Sequence, residues 1–222
     1  MAYILNIETA TTNCSVSLSK EGEILVLKED YSSKYSHAES LHVFIDEVLT
    51  EAGIKTSDLN AVAVSKGPGS YTGLRIGVSA AKGLCFALNI PLIAIDTLTA
   101  LAKQVVVDNG FIVPMLDARR MEVYMSLFDN SYHPLKPITA QILDGHSFED
   151  VLNKGQVYFI GSGVEKTQAL ISHSNAIFIE DKLPSAKEMG ALAYSKYQNS
   201  DFEDVAYFEP FYLKDFMGNK KT

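Results

Sequence analysis

The stretch from Ser65 to Gly77, SKGPGSYTGLRIG, joins an apolar run to a helix rich in small residues through three glycines and a proline. Gly67, Gly69 and Gly73 tolerate left-handed backbone or close contact, Pro68 stiffens the turn, and Ser70 or Thr72 is placed to cap the helix that follows. Such an elbow can cradle a phosphate or carboxylate on free N–H groups, with Arg75 adding charge in the first turn. A tight turn that lets the helix lie close on its sheet explains the same residues. The spacing is neither that of a P-loop nor the GxGxxG of a dinucleotide site. Asp117-Ala118-Arg119-Arg120, with Glu122 and Tyr124 beyond it, is a second charged cluster. It reads as a salt-bridged turn that fixes the second half of the chain, with catalytic use as the alternative, since no nucleophile with a base is evident. His37 and His42 do not make a metal pair: five residues turn a regular helix by roughly 500°, which sets the two rings about 140° apart.

The elements that must hold these residues follow from periodicity. Strands are expected at Tyr3–Ile7, Cys14–Leu18 and Ile24–Lys28, then a helix opened by the capping box Ser36-His37-Ala38-Glu39 and closed at Gly53. A strand at Ala61–Ser65 leads into the elbow, and a helix at Leu74–Leu88 is followed by a strand at Pro91–Ile95 and a helix at Thr97–Val107. The pattern then restarts, with strands at Phe111–Leu116, Glu122–Phe128 and Ala140–Leu143, a short helix from Ser147, and strand Val157–Ile160. The turn Gly161-Ser162-Gly163, a helix to Ser172, strand Ala176–Ile179 and a helix opened by Ser185 complete it. Two successive units of three strands followed by alternating helices and strands imply an internally duplicated α/β protein with mixed sheets, divided as 1–108 and 109–222.

Composition narrows the classes. A chain of 222 residues with 47% hydrophobic and 21% charged side chains is globular. No apolar run approaches the ~20 residues of a membrane span, and the N-terminus lacks a basic leader, so a cytoplasmic protein without membrane contact is expected. Cys14 and Cys85 lie in apolar patterns and read as buried thiols. A net charge of −8 argues against autonomous nucleic-acid binding, which draws on Lys and Arg to displace counterions.

Ile4-Leu5-Asn6-Ile7-Glu8-Thr9-Ala10-Thr11 with Cys14-Ser15-Val16, the Gly67–Gly77 elbow with Ala81-Lys82-Gly83-Leu84, Asp117-Ala118-Arg119 with Glu122-Val123-Tyr124, and Pro210-Phe211-Tyr212-Leu213 form a specific set. With them the chain resembles the actin, sugar-kinase and chaperone-ATPase superfamily and, within it, the TsaB (YeaZ) family. The resemblance implies two actin-like (ribonuclease H-like) lobes from an internal duplication. It also implies a helper role in making N6-threonylcarbamoyladenosine beside the anticodon of tRNA, in which TsaD performs the transfer, TsaE supplies ATPase activity and TsaC makes the adenylate. TsaD-like proteins carry paired histidines after the strand that follows the elbow. Ile95-Asp96-Thr97-Leu98-Thr99-Ala100 stands there instead, so neither a metal of that kind nor catalysis in the TsaD manner is expected.

Glu8, Thr9 and Thr11 fall where superfamily ATPases hold Mg²⁺ and phosphate, with an aspartate as the usual acid. Together with Gly69, Gly161 and Gly163 they are read as a vestigial phosphate site, best explained by turn capping. The isolated chain is therefore expected to need no cofactor, with ATP or ADP entering only at a complex interface. The helices 38–52 and 74–88 are expected to dock on TsaD, or on a second copy when TsaD is absent, through Leu41, Ile45, Arg75, Val78, Ala81 and Lys82. TsaE is the other expected partner, and tRNA is met indirectly. The rival readings are an ATP-dependent phosphotransferase or ATPase and, with less chemical support, a peptidase.

Overall fold

The computed structural model describes residues 1–31 and 37–214. Ser36, the expected start of the capping box, lies outside the described residues. The first unit runs β1 (Tyr3–Glu8), β2 (Cys14–Lys20), β3 (Glu23–Asp30), α1 (His37–Ala52), β4 (Ala61–Gly67), α2 (Tyr71–Leu88), β5 (Leu92–Asp96) and α3 (Thr97–Ala102). The second runs β6 (Phe111–Asp117), β7 (Glu122–Asp129), β8 (Pro134–Ile142), α4 (Glu149–Leu152), β9 (Val157–Ile160), α5 (Val164–Gln168), β10 (Ala176–Ile179) and α6 (Met189–Gln198).

The first sheet has the order β3-β2-β1-β4-β5 and the second β8-β7-β6-β9-β10, so each strand of one unit has its counterpart at the same place in the other. In both, the first three strands are antiparallel and the fourth joins the first in parallel. The protein is a duplicated, mixed-sheet α/β fold with two lobes, each built on a five-stranded sheet.

Alternation along β1 assigns its faces. Leu5 and Ile7 point with Val16, Val62 and Val64 into a core closed by Leu41, Ile45 and Val48 of α1 and by Val78, Ala81 and Cys85 of α2. Ile4, with Ala61, Ala63, Ile93 and Ile95, faces Met189 and Ala193 of α6. The last helix thus returns to the first sheet, and the cut at residue 108 separates the sheets rather than the packing. Polar side chains help to tie it there: Ser15 Oγ accepts from Ala186 N at 2.9 Å and Ser17 Oγ donates to Ala186 O at 2.8 Å. Between the lobes, Leu98, Leu101 and Ala102 of α3 pack on Ile112, Leu116 and Ile160 of the second sheet.

Several elements differ from their sequence boundaries: α5 ends at Gln168 rather than Ser172, α6 begins at Met189 rather than at Ser185, and three more differ for a clear physical reason. Helix α2 starts at Tyr71, because Ser70 is its N-cap and accepts from Gly73 N at 3.3 Å. Helix α3 stops at Ala102, short of the β-branched run Val105-Val106-Val107 that loses rotamer freedom in a helix. β8 begins at Pro134 and includes Pro137, which an edge strand tolerates because one row of its N–H groups has no partner strand.

Beyond α6 the chain crosses the first lobe as a strap. Glu203 N donates to Leu92 O at 2.9 Å, Lys82 Nζ donates to Ala206 O at 3.1 Å and Phe208 O at 2.9 Å, and Phe211 N donates to Lys66 O at 2.7 Å. The Tyr212 ring then lies 4.8 Å from that of Tyr71.

Helix α2 approaches β1 closely because it presents glycine there. A Cβ at Gly77 would press on Thr9 Oγ1, whereas one at Gly83, a turn and a half farther on, would meet nothing within 4 Å. The same substitution at the two positions has opposite consequences. Gly77→Ala is expected to destabilise the isolated protein by about 1–3 kcal/mol through overpacking. Gly83→Ala is expected to stabilise it by up to about 1 kcal/mol through helix propensity, both read from urea denaturation.

Candidate functional site

The elbow and the β1–β2 turn are one structure. Ser70 N donates to Ala10 O at 2.7 Å, and Thr9 Oγ1 donates to Gly73 O at 2.8 Å. His37 Nε2–H donates to Thr11 O at 2.7 Å, which joins the start of α1 to the same turn. Glu8 is fully buried, and its Oε1 accepts from Ala10 N at 2.6 Å and from Ser65 Oγ at 2.9 Å. Burial pushes the Glu8 carboxyl from its ordinary 4.5 up to about 7, against the hydrogen bonds from Ala10 and Ser65 that favour its charged form. The amide best placed to greet a phosphate is thus occupied by the chain's own carboxyl. Gly69 backs directly on Ala10, so these residues do not fit a phosphate, and the turn is a structural joint.

The proposed phosphate residues divide into two groups. Glu8, Thr9, Thr11 and Gly69 sit together on the first lobe. Gly161, at φ 111°, and Gly163 lie on the second, against Met115 of β6. There Ser162 Oγ accepts from Asp117 N at 3.1 Å. The expected salt-bridged turn is present, and its cation is Lys166, whose Nζ reaches Asp117 Oδ1 at 2.7 Å. Among the described residues no group of three or more His, Cys, Asp or Glu side chains is placed to hold a metal.

The residues expected at a partner interface need correcting. Leu41, Ile45, Val78 and Ala81 are 0%, 7%, 4% and 0% exposed, and all four belong to the core beneath α1 and α2. Lys82 is held by the strap carbonyls. Only Arg75 projects freely outward, its Nη1 donating to Tyr71 Oη at 3.3 Å. Helix α2 is apolar around most of its circumference, so periodicity alone does not say which stripe meets the sheet. The outward stripe is the other one. His42 of α1 with Arg75, Ile76, Ser79, Ala80 and Leu84 of α2 lines an open groove of about 740 Å³ between the two helices. Phe86, at 83% exposed, extends the apolar surface of α2 toward its C-terminus.

The comparisons with known proteins agree with this architecture. A family model described as "TsaD: tRNA N6-adenosine threonylcarbamoyltransferase" matches residues 31–219. The chain is 28% identical over 226 residues to the tRNA threonylcarbamoyladenosine biosynthesis protein TsaB of Escherichia coli K12, covering 98% of this chain and 97% of that protein. It is 31% identical over 214 residues to the TsaB of Buchnera aphidicola subsp. Schizaphis graminum, covering 92% and 98%. The chain belongs to the TsaB family. Its fold is also that of YeaZ from Pseudomonas aeruginosa, with a TM-score of 0.82 at 24% identity over 96% of this chain and all of that one. Among the described residues no helix is long and apolar enough to cross a membrane.

Four features of this TsaB-family chain escaped the sequence. Ser65 and Lys166 act through partners 57 and 49 residues away, and no local spacing marks them. The strap has no periodicity of its own, and no spacing marks His42 as a residue of the groove.

Glu8 gives this lobe a pH-dependent stability. A raised carboxyl favours folding fully below about 4.5, and that contribution is lost as pH rises to about 7, a difference of about 3 kcal/mol. Glu8→Gln is expected to flatten the fall in stability between pH 5 and 8 and to be the more stable protein at pH 8, measured by urea denaturation across that range.

Proposed function

We propose that this chain is a noncatalytic activating subunit for a TsaD-type transferase in the formation of N6-threonylcarbamoyladenosine in tRNA, docking through the outward groove of α1 and α2. The observation that carries the reading is that groove. Along the seam between the two helices, Ile76, Ala80 and Leu84 are half-buried at the edge of the core and still line the open groove, with the exposed small residues Ser79 and Gly83 allowing a facing helix to come close. The same face suits a second copy of the chain, related by a two-fold axis, when the transferase is absent. TsaE is the further proposed partner, and tRNA is engaged through the assembly.

The residues at the start of α3 support a noncatalytic part. Thr97, Leu98 and Thr99 occupy the first turn, where a TsaD-like chain carries imidazoles, and Thr97 and Leu98 are fully buried. Against an ATP-dependent phosphotransferase stands the β1–β2 turn, whose Ala10 amide is taken by Glu8. ATP or ADP is accordingly assigned to a seam between subunits rather than to this chain alone.

The groove can be tested with two substitutions on different faces of α2. Ala80→Arg points into the groove and is expected to abolish association, with the transferase and with itself, in light scattering, while thermal melting of the isolated chain stays within a few degrees of the parent. Val78→Glu introduces a charge into the core and is expected to lower the melting temperature sharply. Undiminished association of Ala80→Arg would remove the groove from the account.

A further inference from the structure

The tip between β6 and β7 is held with unusual care for an exposed loop. Lys166 Nζ, on a side chain only 16% exposed, reaches Asp117 Oδ1 at 2.7 Å and donates to Arg120 O at 2.7 Å and Glu122 O at 3.0 Å. Asp117 Oδ1 also accepts from Arg119 N at 2.6 Å, and Ala118 N donates to Glu122 O at 3.0 Å. Within this frame Arg119 and Arg120 sit at φ 67° and 51°, two successive left-handed residues, neither of them glycine. A side chain disfavours that conformation, and a pair of such residues persists only where the surroundings impose it.

The charge is arranged as deliberately as the backbone. The carboxylate of Asp117 is matched by Lys166 and that of Glu122 by Lys214. The guanidinium groups of Arg119 and Arg120 are exposed and enter no ion pair among the described residues. The chain has only three arginines, and every side-chain cation in those ion pairs is lysine or histidine. In a protein of net charge −8, the two fixed, uncompensated arginines at one tip are a local reversal of sign.

We propose that the Arg119–Arg120 tip is a preformed finger that contacts the phosphate backbone of tRNA when this chain sits in the transferase assembly. The inference rests on the activating-subunit reading given above. Guanidinium forks match phosphate oxygens, and a dense polyanion needs only a small protruding cation to gain a contact. A protein partner would instead be met by an apolar centre of which charged residues are depleted. The surface of the tip is Asp117, Arg119, Arg120 and the half-exposed Met121, with Lys214 beside it, which is charged almost throughout. Two contacts do not hold an RNA on an acidic chain by themselves, which accords with binding through the assembly.

The test is the salt dependence of tRNA binding by the reconstituted complex containing the full-length chain. Arg119→Asn/Arg120→Asn keeps residues that accept the left-handed backbone and removes both charges. It is expected to reduce the slope of log affinity against log salt by about 2 relative to the parent. Arg119→Lys/Arg120→Lys is expected to restore most of that slope. Light scattering of the same samples without tRNA reports assembly, which the asparagine variant leaves intact. An assembled complex whose slope does not change overturns the finger alone. Assembly lost with tRNA affinity unaffected assigns the tip to an acidic protein surface and overturns it too. Failure of the unsubstituted chain to assemble overturns the activating-subunit reading, and the finger with it.

Discussion

The closeness of α2 to the first turn of the sheet governs the rest of the molecule. Thr9 is its centre: its hydroxyl donates to Gly73 O, its carbonyl lies against Gly73, and its side chain faces Gly77. Glycines at these two positions allow the helix to descend onto β1. Serine at the N-cap and the Ala10 carbonyl then fix where it begins. Because α2 is seated this deeply, Val78, Ala81 and Cys85 are drawn into the core, Ile76, Ala80 and Leu84 are left half-buried at its edge, and Ser79 and Gly83 face outward beside α1. The groove is thus a by-product of the same contact that builds the lobe.

The joint also explains the chemistry of Glu8. At the end of β1 this chain folds a buried carboxyl back onto the Ala10 amide and the Ser65 hydroxyl. One interaction thereby joins the turn to β4 and occupies the Ala10 amide. The cost is a carboxyl held far from its ordinary range, since nothing nearby offsets its desolvation completely. Stability of the lobe and closure of the turn are consequences of the same side chain.

Much of this was legible in the sequence, for identifiable reasons. Strands with strong alternation and glycine or asparagine turns showed themselves, and the repeat of three strands followed by helices announced the duplication that the matching strand orders display. The elbow was legible because glycine, proline and serine act locally. The orientation of α2 was not. Leu41, Ile45, Val78 and Ala81 are apolar on helices with apolar residues on two sides, and only the sheet decides which side is inside. Lys166 was hidden for a different reason: its role arises from carbonyls and a carboxylate brought to it by the β6–β7 tip, a relation of topology rather than spacing. β8 was truncated in the sequence reading by prolines that an edge strand accommodates.

The central claim is that this chain enables a reaction whose chemistry resides in another subunit. The most direct measurement is mass spectrometry of threonylcarbamoyladenosine in unmodified tRNA supplied with threonylcarbamoyl adenylate, comparing this chain alone, a TsaD-type partner alone, and the two together with TsaE and ATP. The account predicts product only when the partner is present, with a large gain on adding this chain. Product formed by this chain alone, or a partner reaction indifferent to its addition, would contradict it.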